Sequence, residues 1–209
     1  MELFFVIGFF VCIGAGIGGL VLWSQKQQRA RREGFEAKGW RVTTLPNGYR
    51  VDGELEGCAW TFESTHKRNN HRGRNTWSVA AEPTDRIVLL GPPVPSAMSA
   101  MMGSGLGQMV LKMLLGDEAK DLATVNTVVF GGDFGSRVSV MATEESAARE
   151  LITPEVKEAM LRLDGKFPSV IRWRDRLEIH VDQRIYDAEA LQKIVDLGAS
   201  LVPQLGYGD

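Results

Sequence analysis

The amino-terminal stretch of the chain is continuously apolar. Residues 3–23 contain no charged side chain over 21 positions. At about 1.5 Å of rise per residue, a helix of this length extends about 31 Å, which matches the roughly 30 Å hydrocarbon core of a bilayer. The pattern therefore predicts a transmembrane helix over residues 1–23.

The stretch GAGIGG inside this span allows a different interpretation. Gly14, Gly16 and Gly19 fit the dinucleotide-binding fingerprint G-x-G-x-x-G. That fingerprint requires a short strand before it and an amphipathic helix after it. Here more apolar residues follow, and then SQKQQRARRE. The spanning helix is favoured.

The flanks of the span distinguish an anchor from a signal peptide. A cleaved signal peptide carries positive charge before its apolar run and small residues at its end. This run is preceded by Glu2 and ends in Leu22 and Trp23. An uncleaved, single-pass signal anchor is favoured, with Trp23 in the interfacial belt.

Basic side chains follow the span directly. They are Lys26, Arg29, Arg31 and Arg32. The positive-inside rule then places residues 24–209 in the cytoplasm and the short amino terminus outside. Arginines at this position also suit contact with anionic headgroups, although a topology signal alone accounts for them.

Small residues recur along the span at four-residue spacing. Gly14 pairs with Gly18, and Ala15 pairs with Gly19. Small residues at i and i+4 let two membrane helices approach closely. The alternatives are a packing face for a second copy or another membrane subunit, and glycine that is simply common in membrane helices.

Alternating apolar and polar positions begin after Gly39. They predict strands over 40–45, 49–55, 58–64, 76–82 and 86–91, with a hairpin turn at 46–48. Strands at this spacing predict a meander in which sequential strands are neighbours.

A basic loop separates the third and fourth predicted strands. Its cations are Lys67, Arg68, Arg72 and Arg74, and residues 66–75 contain no acid. They suit phosphates of lipid or nucleic acid. The loop has no aromatic side chain for base stacking, so a solvated loop is favoured and no nucleic-acid partner is predicted.

A methionine-rich segment follows the GPPVP break at 91–95. Met98, Met101, Met102, Met109 and Met113 fall at near-helical spacing. Methionine-rich helices pack irregular surfaces and tolerate several partners. A helix buried across the sheet is favoured over a contact with a partner or the bilayer.

The carboxy-terminal part mixes strands and helices. We predict a possible strand at 124–130, a flexible GGDFGS stretch, and a strand over 137–142. A helix from Glu144, punctuated by Thr153-Pro154, follows, and then a hairpin about Asp175. The last element is a helix capped by Asp187.

These elements predict an α+β fold in which antiparallel sheet dominates. Residues 1–23 form the transmembrane helix, 24–39 a basic juxtamembrane segment, and 40–209 one cytoplasmic domain. Sub-boundaries are possible near 91–95 or 117–136.

Part of this pattern resembles a known family. The positions that carry it are Phe134, Val138, Val140, Ala142, Ala148-Arg149-x-Leu151-Ile152-Thr153-Pro154, Leu161-x-Leu163 and Asp175-x-Leu177-x-Ile179. Over about residues 130–180 they resemble uncharacterised bacterial membrane-anchored proteins classed only as a domain of unknown function. Such proteins often have more than one span. The resemblance implies a bacterial membrane protein, here in the inner (plasma) membrane, and brings no activity with it.

Composition and charge add limits. A hydrophobic content of 44% and a charged content of 24% are typical of a folded protein. Cys12 and Cys58 are too far apart in sequence and setting to suggest a disulfide framework or a metal pair. No cofactor or metal site is predicted, and a free Cys58 fits a reducing compartment.

The candidate chemistry is sparse. The sequence contains no P-loop, no G-x-S-x-G and no H-E-x-x-H. His180 has Glu178 and Asp182 on the same strand face, which is the ordinary pattern of a solvated face and predicts no catalytic group.

The favoured function is a non-enzymatic accessory or scaffold subunit of a membrane protein assembly. It would bind partners through its span and its cytoplasmic domain. The alternative is a membrane-anchored domain that binds lipid or a small apolar ligand. A third possibility is an anchored hydrolase, which would need a cleft joining His180 or His66 to an acid and a nucleophile.

Overall fold

The computed structural model describes Trp23 and residues 25–65, 75–93, 125–163, 168–183 and 185–205. Residues 1–22 of the predicted span lie outside this part of the chain. Within it, no helix is both long and apolar enough to cross a membrane.

The fold is α+β, as predicted, and every strand pairing among the described residues is antiparallel. The strands are β1 Arg41–Leu45, β2 Gly48–Leu55, β3 Cys58–Thr65, β4 Asn75–Gly91, β5 Asn126–Val128, β6 Ser139–Ala142 and β7 Ser169–Val181. The helices are α1 over residues 25–36, α2 Gly132–Arg137, α3 Glu145–Leu151, α4 Pro154–Leu161 and α5 Ala188–Leu201. A 3-10 turn at Val202–Leu205 follows α5.

One long ribbon, β4 with β7, organises the sheet. β3 pairs with the first part of β4, and β6 pairs with the last part. β7 runs beside β4 from Asn75 to Leu90. The predicted meander of β1, β2, β3 and β4 is confirmed, and β5 and β6 extend the other end of the sheet.

Two predictions along this ribbon are wrong. The strands predicted at 76–82 and 86–91 are one strand of 17 residues, and the hairpin predicted about Asp175 is one strand of 13 residues. The turn-like residues mark irregularities instead of chain reversals. Pro83 falls where the register shifts between Ala80 and Thr84, and Arg174 has a φ of 51°. A proline without an N–H is tolerated at such a bulge.

Arg172 holds this irregular region together. Its side chain is only 9% exposed. The guanidinium donates to the backbone carbonyls of Arg174 at 2.7 Å, Arg176 at 3.4 Å and Glu82. It thus joins β4 and β7 across the register shift by donating to backbone carbonyls on both strands.

Helix ends follow the predicted caps. The Thr153 hydroxyl accepts a hydrogen bond from the Val156 amide at 3.4 Å and begins α4. The Asp187 carboxylate accepts from the Ala190 amide at 2.7 Å and begins α5. The GGDFGS stretch, predicted to be flexible, forms the short helix α2, so that prediction is wrong.

The core lies between one face of the sheet and the helices. Trp60, Trp77, Leu177 and Ile179 are at most 1% exposed. α5 crosses them closely, because a Cβ built at Gly198 would lie 2.4 Å from the Trp77 ring.

Helix α1 places one side chain of its last turn inside this core. Phe35 is fully buried, with its ring centroid 5.9 Å from Tyr49 and 6.1 Å from Trp40. The segment 24–39, predicted as juxtamembrane, therefore contributes the Phe35 side chain to the domain core.

Candidate functional site: a cleft beside the amino-terminal helix

The basic residues predicted to flank the membrane have different environments on α1. Arg29 pairs with Glu33 at 2.9 Å and Arg32 pairs with Glu36 at 2.7 Å, each one helical turn along. Both pairs are exposed, so their attraction is screened by water and their charge is compensated on the helix surface.

Arg31 points toward the domain instead. Its Cζ atom lies 5.2 Å from the ring centroid of Tyr49 and 5.1 Å from that of Tyr186. Its Nε atom is buried and has no hydrogen-bond partner in the described part of the chain. Among the described residues, no carboxylate lies within ion-pair distance of the Arg31 guanidinium. A guanidinium held against two aromatic rings is a preorganised cation.

Tyr49 is the fixed wall of this arrangement. It is 7% exposed, and its hydroxyl donates a hydrogen bond to the backbone carbonyl of Ile185. Burial raises the pKa of Tyr49, while nearby groups, including the Arg31 charge, act to lower it. The bond ties β2 to the residues just before α5.

Tyr186 is the open wall, with 49% of its surface exposed. Together with Arg31 it borders a cleft of about 560 Å³ between α1 and the start of α5. The α1 side is formed by Gln27, Ala30, Arg31 and Gly34. The opposite side is formed by Tyr186, Asp187 and Ala188. We call this feature the Arg31 cleft.

Asp187 gives the Arg31 cleft its negative group. One of its carboxylate oxygens accepts the α5 cap bond from the Ala190 amide. The cleft therefore presents one guanidinium and one carboxylate that do not pair with each other, with small side chains between. Such a site suits a polar group that carries both charges.

His180, considered at first as an acid–base group, lies elsewhere. Its Nε2 atom is 2.9 Å from Glu178 Oε2, and its Nδ1 atom is 3.0 Å from Thr76 Oγ1. With both nitrogens engaged, the ring has none left to accept a substrate proton. Glu178 and His180 are also mostly buried, at 17% and 13% exposed, although a solvated face was predicted.

The described part of the chain contains no cluster of three or more metal-ligating side chains. Cys58 is a free thiol and is partly buried. Trp23, predicted for the interfacial belt, is 60% exposed, and Lys26 is exposed as well.

Most other predicted site residues lie outside the described residues. They are the helix-packing set Gly14, Ala15, Gly18 and Gly19, the basic loop set Lys67, Arg68, Arg72 and Arg74, and the methionines 98, 101, 102, 109 and 113. Their roles stay predictions.

Arg31 was predicted to lie at the membrane. No pattern in the sequence predicted that Tyr49, Tyr186 and Asp187 lie around it. The Tyr49–Ile185 bond spans 136 positions. Only the packing of α1 and of the residues just before α5 against Tyr49 of β2 brings these side chains together.

No protein-family model matches the chain, and no curated protein matches it. A solved structure has a similar fold, the mycobacterial trehalose monomycolate transport factor A, TtfA. The match has a TM-score of 0.54 at 10% identity and covers 86% of this chain and 94% of that one. At this identity the similarity concerns the fold.

Proposed function

We propose that this protein is a membrane-anchored accessory subunit, without enzymatic activity, that binds another membrane protein. The observation that carries the proposal is the docking of α1. The helix that follows the predicted span carries Phe35 in its last turn, and Phe35 is fully buried in the domain core. A domain joined to its anchor in this way is held at a fixed position near the membrane.

A rigid connection favours a scaffold over a tethered, freely moving domain. Phe35, Trp40, Tyr49 and Trp60 form a chain of ring contacts from α1 into the sheet, with centroid separations between 5.4 and 6.1 Å. Aromatic contacts of this kind add about 0.5–1.5 kcal/mol each beyond burial. A partner bound to the span and a partner bound to the domain would therefore be held in one geometry.

The fold similarity supports the same role. The solved structure of similar fold is described as the mycobacterial trehalose monomycolate transport factor A. A role as a factor that assists another protein is what we extend to this chain, and it agrees with the accessory role proposed here.

The proposal is tested by purifying the full chain in mild detergent and identifying co-eluting proteins by mass spectrometry. We expect a stoichiometric membrane-protein partner that is lost in the double variant Gly14→Leu, Gly18→Leu. Gly16→Leu is the matched control, because it lies on the opposite side of a helix with 3.6 residues per turn. A monomer without partners, or equal recovery in all variants, would count against the proposal.

A second candidate function is the binding of a lipid or small ligand. The observation that favours it is the Arg31 cleft, where an arginine without a carboxylate partner borders about 560 Å³ of open space. Both functions are compatible with a membrane anchor.

A further inference from the structure

We propose that the Arg31 cleft binds the phosphate of a membrane phospholipid whose headgroup also carries an ammonium group, as in phosphatidylethanolamine. This inference rests on the proposed membrane anchoring, which brings the cleft to the bilayer. It assigns a ligand class to a site that the accessory role alone does not require.

The cation is built for a phosphate. Guanidinium presents planar N–H donors that match phosphate oxygens in pairs. The rings of Tyr49 and Tyr186 occupy its surroundings at 5.2 and 5.1 Å from Cζ, and Tyr49 is fixed by its bond to Ile185. The side chain is therefore already ordered, so binding costs little rotamer entropy.

Other arginines on the same helix do form ion pairs with glutamates. Arg29 and Arg32 each have a glutamate four residues later, at 2.9 and 2.7 Å. The residue four positions after Arg31 is Phe35, which is buried in the core. The positive charge of Arg31 is thus left for a ligand from outside the helix.

The single carboxylate in the lining sets the headgroup class. Asp187 lies across the cleft from Arg31 and holds the start of α5. It would repel a purely anionic group and attract an ammonium. A headgroup with phosphate and ammonium satisfies both charges, whereas phosphatidylglycerol satisfies only one.

The position of the cleft fits a lipid source. Arg31 is eight residues beyond Trp23 in the sequence. Eight residues of continuous helix extend about 12 Å. The polar headgroup layer is about 5–7 Å thick on each side of the bilayer. With α1 along the membrane normal the cleft lies about 5–7 Å beyond that layer, and tilting of the helix brings it closer to the headgroups. The small side chains in its lining, Ala30, Gly34 and Ala188, leave room for a headgroup.

The test uses the full chain in nanodiscs of mixed phosphatidylethanolamine and phosphatidylglycerol, with retained lipid counted by native mass spectrometry. We expect wild type to retain phosphatidylethanolamine preferentially, and Arg31→Gln to reduce that retention by about tenfold, the scale of one charge-assisted contact. Arg29→Gln, on the same helix, should retain lipid like wild type. Equal retention by wild type and Arg31→Gln, or a preference for phosphatidylglycerol, would overturn the inference.

A second variant guards against a folding defect. Ala30→Trp keeps Arg31 and fills the cleft, and it should lose lipid as Arg31→Gln does while keeping the wild-type unfolding midpoint. If Ala30→Trp folds normally and retains lipid, the cleft is not the site.

Inorganic phosphate separates the two sources of the same chemistry. We expect phosphate at millimolar concentration to leave the melting temperature of wild type unchanged, because it lacks the ammonium that Asp187 attracts. Stabilisation by phosphate that depends on Arg31, without lipid retention, would contradict a lipid ligand. None of these outcomes changes partner recovery in detergent, so failure here is distinguishable from failure of the accessory role.

Discussion

At the scale of single residues, Tyr49 connects three parts of the molecule. It stacks on Phe35 of α1, faces Arg31 and donates to the Ile185 carbonyl before α5. Burial raises its pKa. The ionisation of its phenol therefore makes the stability of the fold depend on pH.

We predict that Tyr49 makes the protein less stable in alkali. The unfolded phenol loses its proton near pH 10, whereas folded Tyr49 holds it to higher pH. Since the folded state then binds more protons, the free energy of unfolding falls as pH rises above about 10. Urea denaturation from pH 8 to pH 11 should show a steeper loss for wild type than for Tyr49→Phe. Parallel curves would show that the pKa of Tyr49 is unshifted.

Arg172 provides a second prediction at this scale. Replacement by methionine leaves the carbonyls of Glu82, Arg174 and Arg176 without their donor at the bulge. We expect a loss of about 2–4 kcal/mol in the free energy of unfolding, since hydrogen bonds to charged groups are the stronger class. Arg176→Met, whose side chain is 57% exposed, is the control and should cost less than about 1 kcal/mol. Equal costs would show that Arg172 does not hold the ribbon.

The structural role of a residue was predictable where it depends on neighbouring positions in the sequence. The caps at Thr153 and Asp187 follow from a few neighbouring positions, and both are present. The aromatic rings that contact Arg31 come from distant parts of the chain. The same is true of the Glu82 carbonyl that accepts a hydrogen bond from Arg172. The periodicity of a sequence does not predict such long-range contacts.

At the scale of elements, α5 is positioned by a glycine. A Cβ at Gly198 would lie 2.4 Å from the Trp77 ring, which is fully buried, while a Cβ at Gly34 in α1 would lie 3.9 Å from Ala188 Cβ. Both glycines are in helices, but only Gly198 lies too close to its neighbour to accept a Cβ without a shift.

We predict opposite effects from the same substitution. Gly198→Ala should lower the free energy of unfolding, because overpacking costs about 1–3 kcal/mol and exceeds the helix-propensity gain of about 1 kcal/mol. Gly34→Ala should keep or raise it, since only the propensity gain applies. Urea midpoints of the two variants check this. Stabilisation by Gly198→Ala would mean that α5 does not press on Trp77.

Element types were predicted better than element boundaries. The alternation in β2 and β3 and the apolar stripe of α5 are strong local patterns, and the structure confirms them. β4 and β7 were each divided because Pro83 and Asp175 resemble turn residues. In the structure each strand continues through its irregularity because the other provides a partner along its length.

At the scale of the whole molecule, the sheet joins both helical ends of the described chain. α1 contributes Phe35 and α5 contributes Leu191 and Leu201 to one buried core. The α+β class follows from the pattern of strands and helices. The coupling of the predicted anchor to the domain could not be predicted, because residues 24–39 contain too few apolar positions to indicate a docked helix.

We propose that the amino-terminal helix holds this domain against the cytoplasmic side of a membrane. Labelling with an impermeant thiol reagent in intact cells tests it most directly, using Cys58 and an exposed reporter, Ala59→Cys, on β3. Denatured samples control for burial of Cys58. We expect the chain to stay in the membrane fraction and its thiols to react only after permeabilisation. Labelling in unpermeabilised cells, or recovery of the chain in the soluble fraction, would contradict it.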